Sequence, residues 1–272
     1  SFAELGLQED ELELLMKLLK MPNGIILVTG PTGSGKTSTL YSVLNYKNTM
    51  DVKIITTEDP VENDINGIMQ IPINPNVGTT FASCLRAILR QDPDIILVGE
   101  IRDEETAGIA IQAALTGHLV FSTLHTNDSP STITRLADMG IQLFMISATV
   151  RAVISQRLIR KICPECKEEQ IPDELLLKEF GLTLKDVKDK KFYHGKGCGN
   201  CRNTGYKGRM AIFEIMEMND DVSRLVINQA PTSEIRIAAQ KNGMHTLRES
   251  GLRAILNGHT TLEQIINETA EY

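Results

Sequence analysis

Gly30-Pro31-Thr32-Gly33-Ser34-Gly35-Lys36-Thr37 places glycines, a lysine and a hydroxyl residue at the spacing G-x-x-x-x-G-K-[ST]. That spacing has a mechanism for holding phosphate. Glycines let backbone N–H groups turn inward around phosphate oxygens, and the helix that follows adds a favourable dipole. Lys36 is placed to reach terminal phosphates and the Thr37 hydroxyl to ligate magnesium, so residues 30–37 with the adjoining Ser38 form a candidate nucleotide-contacting set. The bland alternative is a glycine turn that binds nothing. The apolar run Ile25-Ile26-Leu27-Val28 before the loop and the helical pattern after it count against that alternative.

Three further groups stand where ligands bind in open α/β sheets, just past apolar runs. Ile95-Ile96-Leu97-Val98 delivers Gly99-Glu100, and Glu100 is placed to hold magnesium through water or to polarise an attacking water. Asp94 lies at the opposite end of that run and reads as structural. Ile54-Ile55 leads to Glu58-Asp59-Pro60-Val61-Glu62, in which Glu62 is the candidate general base; a solvated acidic loop is the alternative. His125 ends the run that starts at Leu119-Val120-Phe121, and reads as a phosphate sensor rather than a satisfied core histidine.

Four of the five cysteines form two Cys-x-x-Cys pairs, Cys163 with Cys166 and Cys198 with Cys201. Each pair can present two thiolates to one ion, and four soft ligands with no open position describe a closed structural zinc site. Residues 167–197 separate the pairs, a longer span than common zinc ribbons use, so a helical stretch at 173–180 has to bulge between them. A redox pair or reduced bystander thiols are the alternatives. Cys84 reads as a core thiol.

The elements that must position these groups follow from the apolar pattern. Short continuous apolar runs separated by helical patterns predict strands buried on both faces of a mostly parallel, doubly wound sheet. Helices are expected at 33–45, from Thr79 or Thr80 through Leu89, after an Asp103 cap through Leu115, and from Ser129-Pro130 to near Gly140. A further helix is expected over about 143–159. Residues 1–20 predict one amphipathic lead-in helix, stopped by Pro22-Asn23-Gly24. A strand over 211–216 and three helices should close the chain, with Thr246/Glu249 and Thr260/Glu263 spaced as capping boxes. The expected divisions are a lead-in at 1–23, a nucleotide-binding core at 24–160, an insertion at 161–209 with its own small core, and a strand with a helical subdomain at 210–272.

Composition bounds the function. With 272 residues, 42% hydrophobic and 23% charged, the chain suits one large core with a satellite, burying roughly three quarters of its extended surface. No stretch approaches the roughly 20 apolar residues of a membrane span, and the first residues given lack the basic and apolar regions of a signal peptide, so a cytosolic chain without structural disulfides is expected. The chain opens on Ser1 rather than Met, which predicts a piece of a longer protein. A net charge of −7 and an aromatic content of 4% without Trp count against a nucleic-acid partner.

Four motifs in order resemble the motor domain of the bacterial secretion ATPases that drive type II secretion and assemble type IV pili, from Gly24 to the C-terminus. They are residues 30–37, Thr57-Glu58-Asp59-Pro60-Val61-Glu62, the stretch from Leu89-Arg90-Gln91-Asp92-Pro93-Asp94 through Gly99-Glu100-Ile101-Arg102-Asp103, and Thr116-Gly117-His118 through Ser122-Thr123-Leu124-His125-Thr126-Asn127. The resemblance implies a RecA-like P-loop fold and ATP hydrolysed to ADP by a homohexamer. It also implies docking through a platform protein, peripheral to the cytoplasmic face of the inner membrane. Glu62 and Glu100 would be its catalytic acids, with Lys36 on the phosphates, and His118 and His125 its histidine motif. Further nucleotide-contacting arginines would come from a preceding N-terminal domain. Assembly members often carry a tetracysteine insertion that retraction members typically lack, which favours pilus extension. Arg86 and Arg90 share a helix face and either meet phosphate or a neighbouring subunit, or form a solvated basic face. Two other readings compete, a nucleotide-gated switch and a nucleic-acid translocase; three acids at one sheet edge favour catalysis over switching.

Overall fold

A computed structural model describes residues 2–270. Its strands are β1 (Gly24–Thr29), β2 (Ile54–Glu58), β3 (Met69–Pro72), β4 (Ile95–Val98), β5 (Leu119–Leu124), β6 (Val150–Ile162), β7 (Lys167–Gln170), β8 (Phe192–Gly195) and β9 (Tyr206–Glu217). Helices α1 (Phe2–Leu5), α2 (Glu9–Leu19), α3 (Lys36–Lys47), α4 (Phe81–Ile88), α5 (Glu104–Leu115), α6 (Ser129–Asp138) and α7 (Leu143–Thr149) precede the β7–β8 hairpin. They are followed by α8 (Glu174–Lys178), α9 (Asp220–Ile227), α10 (Thr232–Lys241), α11 (Leu247–Leu256) and α12 (Leu262–Thr269).

Seven strands form one sheet in the order β3-β2-β4-β5-β1-β6-β9. Every neighbouring pair is parallel except β6 with β9. The alternation of side chains along each strand explains the continuous apolar runs. Ile25 and Leu27 face a core with Ile96, Val98 and Val120 under α4 to α7, α9 and α10. Ile26 and Val28 face the opposite core with Ile95, Leu97 and Phe121 under α2 and α3. Helices therefore cover both faces, as the apolar pattern predicts.

Several local expectations shift, each for a visible reason. The helix expected over 143–159 ends at Thr149, and β6 begins at Val150. Val150, Val153, Ile154 and Ile159 are β-branched, and β6 lies between β1 and β9 with both its faces covered. Asp128, not Ser129, caps α6, accepting the Ser131 N–H at 2.7 Å. Ser129 is instead held inside, its own N–H donating to Glu214 Oε1 at 2.7 Å. Thr260 donates to the Arg160 carbonyl at 2.9 Å, leaving Thr261 to cap α12. The Thr80 cap on α4, the Asp103 cap on α5 and the Thr246/Glu249 box on α11 stand as expected. The lead-in is two helices rather than one, broken at Gly6, and four helices rather than three follow β9.

A third core lies beyond the end of β1, where β6 and β9 continue as an antiparallel pair. Leu177, Val187 and Phe192 of the insertion do not form a core of their own. They pack with Ile159 and Ile212 of the two strands and with Leu247, Ile255, Leu262 and Ile265 of α11 and α12.

Phe121, 1% exposed at the centre of the sheet, tests how much the strand burial stabilises the fold. Phe121→Ala should cost about 3–5 kcal/mol, because the strands on either side cannot collapse into the cavity. Denaturant unfolding followed by circular dichroism measures it as a shift of the midpoint at unchanged slope.

Candidate functional site

The glycine-rich loop lies between β1 and α3. Gly30 has φ 141°, and a Cβ there would stand 2.6 Å from the Gln156 carbonyl oxygen; Gly35, the cap of α3, has φ 88°. Both need glycine. Gln156 on β6 braces the loop from beneath, donating from Nε2 to the Ser34 carbonyl at 2.6 Å and accepting from Thr39 Oγ1 at 2.9 Å. Free N–H groups of the first turn of α3 therefore stand beside the loop. Lys36 folds back across it, donating to the Gly30 and Pro31 carbonyls at 2.8 and 3.0 Å. Burial draws the Lys36 ammonium below its ordinary pKa, the Glu100 charge opposes this, and Arg157 adds to it. Pro31, Thr32, Gly33, Thr37 and Ser38 are exposed, whereas Ser34 is buried and its Oγ has no partner. Oxygen donors from Thr37 and Glu100 are of the kind a hard divalent cation takes.

The acids reach the same sheet edge. A Cβ on Gly99 would stand 2.9 Å from the Thr57 carbonyl oxygen, so the chain leaving β4 passes close against the end of β2. Glu100 follows, with its side chain 14% exposed. It accepts a bond from Arg102, and His125 Nε2 lies 3.5 Å from its other oxygen. Arg102 also stands 3.8 Å from Asp59. Arg102, Asp59 and His125 thus gather around Glu100, whose charge acts on the Lys36 ammonium of the neighbouring loop. Glu62 is exposed on the loop after β2, and its N–H donates to Tyr41 Oη at 3.2 Å.

Other candidates go elsewhere. His118 lies before β5, about 20 Å of strand from His125. Its Nδ1 is 2.9 Å from the Ala113 carbonyl at the end of α5. Asp94 accepts the Lys53 N–H at 2.7 Å, a structural bond. Arg86 pairs with exposed Glu105 on α5, while Arg90 sits in the 3₁₀ turn that ends α4, so the two do not continue one helix face. Cys84 is buried in the core under α4. Gln156 and Tyr41, which no motif marks, also support the site, and Arg102, named in the sequence only as part of the motif at 99–103, pairs with Glu100.

The four paired cysteines converge. Cys163 and Cys166 lie between β6 and β7, and Cys198 and Cys201 between β8 and β9, a tie completed by the Cys163 N–H donating to the Gly205 carbonyl at 2.9 Å. Sulfur–sulfur separations are 3.9 Å (Cys163–Cys198), 3.8 Å (Cys166–Cys201) and 3.7 Å (Cys198–Cys201). A tetrahedron with metal–sulfur bonds of about 2.3 Å has edges of about 3.8 Å, so the sulfurs fit one such ion. Amides of Gly197, Cys198 and Gly205 donate to Cys166 and Cys201 sulfurs at 3.2–3.3 Å. Burial pushes the Cys166 thiol up to about 12. At Cys201 burial acts the same way, but the amides and neighbouring thiols outweigh it and bring the thiol down to about 6.

With this geometry in view, the similarities to known proteins are informative. A family model described as type II/IV secretion system protein matches residues 1–267. The type IV pilus assembly ATPase PilB of Thermus thermophilus is 49% identical over 268 residues, which are 98% of this chain and 30% of that protein. Type II secretion system protein E of Xanthomonas campestris is 47% identical over 270 residues, 99% of this chain and 48% of that protein. The chain therefore spans about half or less of the length of these curated relatives. Among solved structures, the pilus retraction motor PilT with bound ADP superimposes with a TM-score of 0.73 at 30% identity, covering 100% of this chain and 67% of PilT. The chain belongs to the type II/IV secretion system protein family.

Proposed function

We propose that this chain is the ATP-hydrolysing part of a motor that powers type IV pilus extension or type II secretion, with pilus assembly favoured. The observation that carries the proposal is that Glu100, with Arg102 and His125 on its two oxygens, stands at the C-terminal edge of parallel strands beside a glycine-rich loop that opens the helix starting at Lys36. Relatives are named as a type IV pilus assembly ATPase and as a type II secretion system protein. Residues 30–38 act as a P-loop of the RecA-like type, in which backbone amides and Lys36 hold the phosphates. Unpartnered Ser34 Oγ supports that role. Thr37 and Glu100 would hold magnesium, which when bound neutralises phosphate charge.

In the reaction, Glu62 takes a proton from water as the water oxygen bonds to the γ-phosphorus. The bond to the β,γ-bridging oxygen breaks and ADP leaves with that oxygen. His125, beside Glu100, reports the γ-phosphate. The acidic net charge supports a protein partner, not a nucleic acid. By family resemblance the motor works as a homohexamer on a platform protein, peripheral to the cytoplasmic face of the inner membrane. Among the described residues no helix is long and apolar enough to cross a membrane. Cys163, Cys166, Cys198 and Cys201 hold a structural zinc that closes an insertion at 161–209. The helices of 210–272 form the C-terminal subdomain, and 1–23 lead in from a preceding domain.

Lys36→Ala should abolish magnesium-dependent phosphate release. Glu100→Gln should keep ATP binding, read by a fluorescent analogue, while turnover falls roughly 100-fold, the size typical of losing one positioned catalytic group. Parent-level turnover in either variant contradicts these roles. Specific activity that rises with protein concentration is expected if catalysis requires subunit contacts.

Cys198→Ser should lose zinc by elemental analysis, falling from one equivalent per chain to none, and should loosen residues 161–209 with ATP binding intact. Retained zinc in that variant refutes the four-thiolate site.

A further inference from the structure

Glu58, at the last position of β2, is 4% exposed. Burying a carboxylate is costly unless its oxygens are bonded, and here three neutral donors bond them. Tyr41 Oη donates to one oxygen; Thr56 Oγ1 and Gln70 Nε2, the latter at 3.0 Å, donate to the other. Two of these donors also hold the loop that follows β2. Tyr41 Oη, its proton given to Glu58, accepts the Glu62 N–H at 3.2 Å. Gln70 Nε2 donates to the Asn63 carbonyl at 3.1 Å, and Gln70 Oε1 accepts the Ile65 N–H at 2.7 Å. Three points of the loop thus hang from side chains gathered on one buried carboxylate.

Tyr41 belongs to α3, the helix that starts with Lys36 and Thr37 and carries the glycine-rich loop on its N-terminus. A rigid helix therefore runs from the phosphate-binding residues to a phenol hydrogen-bonded to the backbone of Glu62. We propose that Tyr41 and Glu58 form a positioning relay that sets Glu62 in register with Lys36, so that the general base and the phosphates are held in one frame. The proposal rests on the reading of Glu62 as base. Tyr41 and Glu58 act through Glu62; neither touches the reacting atoms. Removing the phenol oxygen leaves the ring packing in place and takes away both the Glu58 donor and the acceptor for Glu62 N–H.

The test compares the parent with Y41F, E62Q and the Y41F/E62Q double variant. It uses magnesium–ATP turnover, fluorescent-nucleotide affinity, thermal unfolding and amide hydrogen exchange over residues 59–68. In Y41F, exchange over 59–68 should rise about tenfold while α3 amides stay protected. Its kcat should fall tenfold or more with KM and nucleotide affinity within twofold. The double variant should turn over no more slowly than E62Q alone, because the relay acts through the group already lost. Q70A, at a half-buried site on edge strand β3, reads the second branch without disturbing α3: exchange at Ile65 should rise and kcat should fall. Parent-like exchange and kcat in Y41F overturn the relay. So does a Y41F loss that multiplies with the E62Q loss, since the phenol would then act elsewhere. E62Q turning over at the parent rate removes the base assignment and the positioning role with it, and faster exchange in Y41F distinguishes that failure from a failure of the relay contacts.

Discussion

The burial of β1 between β5 and β6 is the constraint from which the rest of the arrangement follows. All six residues of β1 are buried, Ile25 and Leu27 toward one core and Ile26 and Val28 toward the other. A strand with both faces apolar and both edges paired has no room for a functional group along its length. Chemistry must gather where the strand stops. Because β2, β4 and β5 run parallel to it in register, the ends of all four strands open onto one edge. The loop from Gly30, the loop carrying Asp59 and Glu62, Glu100 and His125 all leave the strands at that edge, without any long-range folding of loops.

That edge is supported from behind by polar groups inside the sheet. Thr29 Oγ1 and Ser155 Oγ are 2.6 Å apart, and Ser129 Oγ donates on to Ser155 at 3.1 Å. Ser129 N–H in turn reaches Glu214, whose carboxyl is pushed above its ordinary pKa by burial, and Arg236 spans Glu214 and Asp128 at 3.8 and 2.7 Å. A buried network of this kind is stable only when each member is satisfied, and it then fixes a single arrangement. It ties β1, β6 and β9 to α6 and α10. The long β6–β9 ribbon extends the same connection past the end of β1 to the third core, where the cysteine cluster ties its far end.

What could be read in the sequence divides according to the distance over which each choice is made. The loop at 30–37, the apolar runs of β1, β4 and β5 and the Asp103 cap depend on neighbours within a few residues, and each stands in the structure where the pattern puts it. The two cysteine pairs were equally legible, since each is a local turn and a shared ion requires only that the turns meet. Segment 143–159 was different. Its apolar residues interrupted by arginines suit a helix face as well as a strand, and the choice is made by β9, which arrives only at residue 206. Thr260 and Asp128 make the same point on a smaller scale. Either of two adjacent residues can cap, and the decision falls to Arg160 and Glu214, distant in sequence.

The groups that hold the candidate site together were the least legible. Gln156, Tyr41 and Gln70 have residue types common in any interior or on any edge strand, and nothing in their local sequence marks them. Each matters because of what the topology sets against it. Gln156 meets the glycine-rich loop because β6 lies next to β1, Gln70 meets Glu58 because β3 lies next to β2, and Tyr41 meets both Glu58 and Glu62 because α3 packs across the sheet toward β2. Reactive residues can be guessed from type and spacing because chemistry restricts which side chains can do the work. Positioning residues need only a donor or acceptor at the right place, a property that many side chains have and that only the folded sheet assigns.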